Sequence, residues 1–302
     1  MSTRAKLRTI IVATDFSENA SLALAWAEEL ARQHDAALVL VHAARLEPPT
    51  APEFVQWPQK YGDEIRACVK SQLEREAEKA RGSGITVDCD LGFGAAVDVV
   101  IAAAERRGAD LIVAGTRGRT GWKRLLLGST AARLIRKAAC PVLTVHPTDA
   151  GSPRPVRTVL VPTDFSEDAA LAAEAATRIL GAPGADRRLV LLHAYHVPYE
   201  ATYLPAAILE EAISAADAMV KRMIQELAAK LRHTGIRIDT LTCREGDSAR
   251  AILANAGAVG PDLIAMGTHG RSGMDRLLLG STAERVAASA PCPVLTVRRA
   301  SD

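Results

Sequence analysis

Apolar and polar positions run along this chain in two periods that take turns. Arg8 to Thr14 is an apolar, β-branched run and predicts a strand. Asn19 to Gln33 then sets Leu22, Ala23, Trp26, Ala27 and Leu30 at helical spacing, with Ser17 placed to cap the helix. Ala37 to Ala44 predicts a second strand, and Lys60 to Arg81 a long charged amphipathic helix that ends before Gly82-Ser83-Gly84. Thr86 to Leu91 reads as strand, Ala95 to Arg107 as helix, and Asp110 to Gly115 as strand. Ser129 to Lys137 reads as helix and Val142 to His146 as a last strand. Runs such as Leu38 to Val41 show no polar alternation, as expected of strands covered on both faces. Strands alternating with helices imply crossover units and a mainly parallel sheet.

The same order then repeats, with a long helix from Leu204 to Arg232. Thr14-Asp15-Phe16-Ser17-Glu18 recurs as Thr163-Asp164-Phe165-Ser166-Glu167, and Arg124 to Ala131 recurs as Arg276 to Ala283. Cys140 to Val145 recurs as Cys292 to Val297, and His42 is matched by His193. A repeat of this length sets the architecture: two tandem α/β domains, residues 1–148 and 155–302. The stretch from Ala150 to Pro155, rich in Gly, Ser and Pro, reads as a linker short enough to favour packed domains.

Composition narrows the class. The chain has 302 residues, 48% hydrophobic and 24% charged, the balance of a soluble globular protein. Only 4% are aromatic, so the core is largely aliphatic. Lys plus Arg is 37 against 35 for Asp plus Glu, too near neutral to point to nucleic acid. No apolar run approaches the roughly 20 residues of a membrane span, and the N-terminus lacks the pattern of a signal peptide. The five cysteines form no Cys-x-x-Cys, which argues against a zinc or disulfide framework and for a reducing cytoplasm.

The candidate chemistry sits in one duplicated loop. Gly115-Thr-Arg-Gly118 is followed by nine residues and then Gly128-Ser129; Gly267-Thr-His-Gly270 is followed by nine and then Gly280-Ser281. Each loop starts where a strand ends and finishes where a helix begins. Glycines permit φ > 0 and close approach of a ligand, successive N–H groups make an anion-binding nest, and the helix adds unpaired N–H groups with a positive dipole end. Ser129, Thr130, Ser281 and Thr282 add hydroxyls. The set suits a polyphosphate. A plain strand-to-helix turn would also use glycines, but turn geometry does not demand the same serine, threonine and arginine twice. A P-loop signature is absent, and the first strand is followed by Asp15-Phe16-Ser17 where a dinucleotide fingerprint would stand.

The motif Gly-x2-Gly-x9-Gly-[Ser/Thr], with Thr-Asp-Phe-Ser after the first strand and a closing Cys-Pro-Val-Leu-Thr-Val, resembles the universal stress protein family across both halves. The resemblance implies a doubly wound, Rossmann-like five-stranded parallel sheet in order 3-2-1-4-5 in each domain. The topological switch point then lies between the strands that end at Asp15 and Gly115, where ligands sit in open sheets. It also implies ATP as ligand, with Mg²⁺ as a possible companion held through water by Asp15. Asp15 and Asp164 would contact the adenosine part, or else merely cap the next turn. Backbone groups at Ala13, Thr14 and Ala43, and at Pro162, Thr163 and Ala194, would line the adenine pocket, with Ala114 and Met266 before the loops. Gly115, Gly118, Gly128, Ser129 and Thr130 would hold ribose and phosphates in the first copy, and Gly267, Gly270, Gly280, Ser281 and Thr282 in the second. Arg117, Arg119, Arg124, His269, Arg271 and Arg276 are candidates to neutralise phosphate or to stay solvated. Lys123 becomes Asp275 in the second copy, which makes the two sites unequal. His42 and His193 read as core or capping residues.

The function so implied is an ATP-binding stress or regulatory protein that acts through nucleotide-dependent conformation or partner binding. No carboxylate pair or base stands out beside the loop for an NTPase. The alternatives are a slow ATPase or nucleotide-transforming enzyme, and an interaction module that binds no nucleotide. The family also implies pairing of domains through their last strands, Val142–Val145 and Val294–Val297, and a homodimer of chains.

Overall fold

The computed structural model describes residues 6–44, 59–116, 127–146, 153–184, 186–270 and 279–299. The chain divides between residues 147 and 148 into two units. In the first, β1 (Thr9–Ala13), α1 (Glu18–His34), β2 (Ala37–Ala44), α2 (Gln59–Arg81), β3 (Val87–Phe93), α3 (Ala96–Arg107), β4 (Leu111–Gly115), α4 (Ser129–Lys137) and β5 (Val142–Val145) alternate as expected. β1 pairs in parallel with β2 and β4, β2 with β3, and β4 with β5, which gives the order 3-2-1-4-5. The second unit runs β6 (Thr158–Pro162), α5 (Glu167–Leu180), β7 (Arg188–Tyr195), α6 (Ala206–Leu231), β8 (Arg237–Arg244), α7 (Ser248–Val259), β9 (Leu263–Gly267), α8 (Ser281–Ser289) and β10 (Val294–Val297). Its parallel pairings, β6 with β7 and β9, β7 with β8, and β9 with β10, reproduce the same order.

The central strands are apolar because helices cover both of their faces. Ile10, Ile11 and Val12 of β1 and Val159, Leu160 and Val161 of β6 are fully buried. Helices α1 and α5 face the sheet mostly with Ala, Leu and Ile, so each core is largely aliphatic, with Trp26 of α1 the one large aromatic fully buried among the described residues. Each unit is also clasped at the start of its central strand by one carboxylate. Asp110 Oδ2 accepts from the N–H groups of Arg8 and Thr9 at 2.8 and 3.2 Å. Asp262 Oδ2 accepts from Arg157 and Thr158 at 2.9 Å each, and its Oδ1 from Arg154 Nε at 2.5 Å. These bonds satisfy strand-end donors where the ladder supplies no partner.

Most limits fall within one residue of the sequence reading, and two differ by two residues. β3 runs through Gly92 to Phe93. The glycine allows close approach of α3, since a Cβ there would stand 2.4 Å from Val99 Cγ1. The long helix of the second copy begins at Ala206, after Pro205, and ends at Leu231. Short 3₁₀ turns at Tyr199–Tyr203 and Arg232–Thr234 flank it, the latter closed by Gly235 at φ 64°. Among the described residues no helix is long and apolar enough to cross a membrane.

Candidate functional site

The turn after the first strand of each unit is built from its own side chains. Thr14 Oγ1 accepts from the Phe16 N–H at 3.1 Å, Asp15 Oδ1 from Ser17 N–H at 3.1 Å, and Ser17 Oγ from Ala20 N–H at 3.2 Å, which caps α1. The second copy repeats all three bonds, Phe165 to Thr163, Ser166 to Asp164 and Ala169 to Ser166, at 3.0, 3.0 and 3.3 Å. The chain of bonds turns the backbone so sharply that Phe16 and Phe165 adopt φ of 62° and 63°. A bulky side chain pays strain in that region, of order 1–3 kcal/mol. The strain is held from below. His42 Nδ1 donates to the Thr14 carbonyl, and its ring stacks on Phe16 with centroids 4.4 Å apart. His193 donates likewise to the Thr163 carbonyl, and its ring lies tilted against Phe165 with centroids 4.5 Å apart. Both histidines therefore position the turn that carries Asp15 or Asp164.

The two copies differ behind this turn. In the first, Thr14 Oγ1 also lies 3.4 Å from Glu76 Oε2 on α2. Burial pushes the Glu76 carboxyl above the ordinary carboxylate value, and the bond from Thr14 opposes that only in part. The equivalent position in α6 is Leu227.

Ala114 and Gly115 end β4, where Ala114 is in register with Ala13 of β1, and Ala43 lies toward the end of β2. All face the carboxyl edge of the sheet. Gly128 stands at the N-cap of α4, with Ser129 and Thr130 in its first turn. Gly280, Ser281 and Thr282 do the same for α8. Neither helix has a side-chain cap, whereas α1, α5 and α7 are capped by Ser17, Ser166 and Asp247. The leading N–H groups of α4 and α8 are thus left for another partner.

In the second unit these parts enclose a cleft of about 600 Å³. Pro162, Thr163, Asp164, Ala194, Met266, Gly267, Gly270, Gly280, Ser281 and Thr282, all named from sequence, line it together. His269, a candidate to neutralise phosphate, lines it too, as do His196, Ser248, Ile252 and Thr268, which were not assigned to the pocket. Gly118, Arg119 and Arg271, with Arg117, Lys123, Arg124, Asp275 and Arg276, lie outside the described residues.

The loop glycines do not use the left-handed freedom that the sequence suggested. Gly115, Gly128, Gly267, Gly270 and Gly280 are absent from the positive-φ residues. Their small size is what counts. A Cβ on Gly267 would stand 2.7 Å from Asp168 Cβ, and one on Gly115 3.0 Å from the Asn19 carbonyl oxygen. The first turn of α5 or α1 packs directly on the loop's first glycine. A Cβ on Gly270 would meet Asp164 Oδ2 at 2.7 Å, and one on Gly280 the Thr268 carbonyl oxygen at 2.8 Å.

The contact between α5 and the loop also assembles a polar group that the sequence reading missed. Thr268 Oγ1 lies 3.4 Å from Asp168 Oδ2 and 2.9 Å from His269 Nδ1. His269 Nδ1 is 3.6 Å from the same carboxylate oxygen. The signal was available in the alignment of the two copies, where Asn19 becomes Asp168 and Arg117 becomes His269. In the first copy Thr116 is 1% exposed, and its hydroxyl oxygen has no hydrogen-bond partner among the described residues.

Two doubly wound α/β units in tandem, each with a strained strand-end turn facing an uncapped helix, place the chain among proteins of Rossmann-like fold. The model of the universal stress protein family matches residues 6–146 and 155–298, and the chain belongs to that family. A universal stress protein of Mycobacterium tuberculosis is 30% identical over 300 residues, covering 96% of either chain. One of Mycobacterium bovis is 28% identical, covering 99% of this chain and all of its own. Among solved structures, a universal stress protein from Archaeoglobus fulgidus matches 97% of this chain and 98% of its own. It does so with a TM-score of 0.72 at 23% identity, which speaks for the fold.

Proposed function

We propose that the chain is an ATP-binding regulatory protein, with one nucleotide site in each half. The observation that carries this reading is the cleft of about 600 Å³ at the switch point between β6 and β9. Its volume falls in the range of small-ligand pockets, about 300–1,000 Å³. It combines apolar lining for a base (Ala194, Ile252, Met266) with the N-terminus of α8 for an anion. Asp164, held by the Thr-Asp-Phe-Ser turn, faces the loop between them. Binding then acts by favouring one conformation or one partner over another.

Calorimetry with ATP tests the reading: it is expected to show two sites per chain, and none in the double variant Gly118→Ala, Gly270→Ala. In the second site the added Cβ drives into the Asp164 carboxylate. Unchanged affinity in the double variant overturns the reading. Cytoplasmic location and a homodimer of chains belong to the same proposal. Light scattering behind size exclusion measures the stoichiometry.

A further inference from the structure

We propose that Asp168, Thr268 and His269 make the second cleft a proton-linked anion site, which takes the phosphates of a nucleotide more tightly as pH falls. The inference rests on the nucleotide reading above and adds a property that distinguishes the second site from the first.

The geometry fixes the arrangement. α5 packs so closely on Gly267 that a Cβ there would stand 2.7 Å from Asp168 Cβ. Its Oδ2 lies 3.4 Å from Thr268 Oγ1, which lies 2.9 Å from His269 Nδ1. One polarity satisfies both bonds: the threonine hydroxyl donates to the carboxylate, and the imidazole Nδ1–H donates to the threonine oxygen. The side chains of His269 and Asp168 are 18% and 13% exposed, so water screens them weakly.

The charges facing the ring come from several elements. Asp168 and Glu167 lie on α5, with Glu167 paired to Arg299 beyond β10, next to Arg298. Asp164 stands in the turn before α5, close to Gly270. α8 carries Glu284 in its first turn. Among the described residues that line the cleft there is no lysine or arginine; its only potential side-chain cations are His196 and His269. With His269 neutral, Asp164 and Asp168 bring negative charge beside the loop. With it protonated, a cation stands at the loop's second residue, where a phosphate group on the α8 N-terminus is attracted to it. The first copy has Asn19 and Arg117 at these positions, a neutral side chain and a permanent cation, so this linkage is not built there.

The test uses the full-length chain carrying Gly118→Ala, which leaves the second site. ATP and adenosine are titrated by calorimetry at pH 6 and pH 8, with and without His269→Gln. ATP changes its own protonation in this range, so the quantity read is the difference between the two proteins. The expected result is an ATP affinity that falls between pH 6 and 8 several-fold more when His269 is present. One proton sets the ceiling at about tenfold per pH unit. Adenosine affinity is expected to be the same at both pH values in both proteins. Asp168→Asn, which restores the first copy's residue type, is expected to raise ATP affinity at pH 8. His196→Gln is expected to leave the pH dependence in place. On a histidine NMR titration, ATP is expected to shift the His269 ring resonance's midpoint upward, and adenosine is not. Equal pH dependence with and without His269, while ATP binds, overturns this inference and leaves the nucleotide reading standing. Failure of ATP to bind at either pH overturns both.

Discussion

Nδ1 of His42 lies 2.8 Å from the carbonyl oxygen of Thr14, and Nδ1 of His193 lies 2.6 Å from that of Thr163. One imidazole per unit thus carries both the hydrogen bond and the ring contact that hold a left-handed phenylalanine in place. Removing it leaves a part-buried carbonyl without its donor and the strain without its support. His42→Ala and His193→Ala are each expected to destabilise their unit by about 1–3 kcal/mol, measured by urea denaturation. His193→Ala is also expected to weaken ATP binding, because Asp164 rides on the same turn. A variant that unfolds at the wild-type midpoint contradicts the role.

The glycines give a pair of opposite expectations. Gly267→Ala places a methyl 2.7 Å from Asp168 Cβ, so the helix or the strand has to shift. The cost is expected to be about 1–3 kcal/mol, as for overpacking in a core. Gly257 lies exposed within α7, and a Cβ there meets nothing within 4 Å. Gly257→Ala is expected to stabilise the protein by about 0.5–1 kcal/mol through helix propensity. Thermal denaturation of the two variants side by side reads both signs.

Asp262 is 8% exposed and accepts two strand N–H groups and the Arg154 guanidinium. Asp262→Ala leaves those two N–H groups with no acceptor at the end of β6. A loss of about 2–4 kcal/mol is expected, since hydrogen bonds to a charged group are worth about 1.5–3 kcal/mol each and are not additive. Asp262→Asn is expected to recover part of it. Equal loss in the two variants argues against the bonds to Arg157 and Thr158.

Glu76 gives a pH signature. Burial raises its carboxyl in the folded state, so folding binds that proton more tightly than the unfolded chain does. Its effect on stability is therefore favourable at low pH and is lost as pH rises through the raised folded value. Glu76→Gln keeps an acceptor for Thr14 and removes the charge. The variant is expected to melt higher than the wild type at pH 7, with the gain closing toward pH 4. A gain that grows on acidification gives the opposite sign and refutes the assignment.

Burial also holds two thiols in the protonated form, Cys89 pushed up to about 12 and Cys140 up to about 11. Alkylation needs the thiolate. Iodoacetamide at pH 8 is expected to label the exposed Cys68 at least about tenfold faster than either, read by peptide mass spectrometry.

Much of this architecture is legible in the chain because its signals are local. The apolar run from Arg8, the helical spacing from Leu22 and the serine before each first helix all depend on neighbours a few residues away. The structure returns them as β1, α1 and the Ser17 cap. The duplicated turn and loop mark the strand ends for the same reason, and the second unit gathers ten of the named residues round one cleft. What escaped the reading depends on contacts between distant elements. Gly115 and Gly267 look like ligand or turn glycines until α1 and α5 are seen resting on them. His42 reads as a core or capping residue, but that it holds up Phe16 shows only once the turn folds over it. Asp168 and His269 are a hundred residues apart in the chain and meet only because β9 runs beside β6. Gly92, left outside the predicted strand, is the gap into which Val99 fits.

The bare starts of α4 and α8 have one more consequence. A serine or aspartate at an N-cap stabilises a helix by about 1 kcal/mol over alanine and by roughly a few tenths of a kcal/mol over glycine. At position 280 the carbonyl of Thr268 leaves no space for the side chain that would supply it. The protein therefore forgoes a stabilisation available to most helices, at the place where its cleft opens. In amide hydrogen exchange without nucleotide, the first turn of α8 is expected to be among the fastest helical segments of the second unit. Its protection then becomes a readout of occupancy that needs no label and no activity.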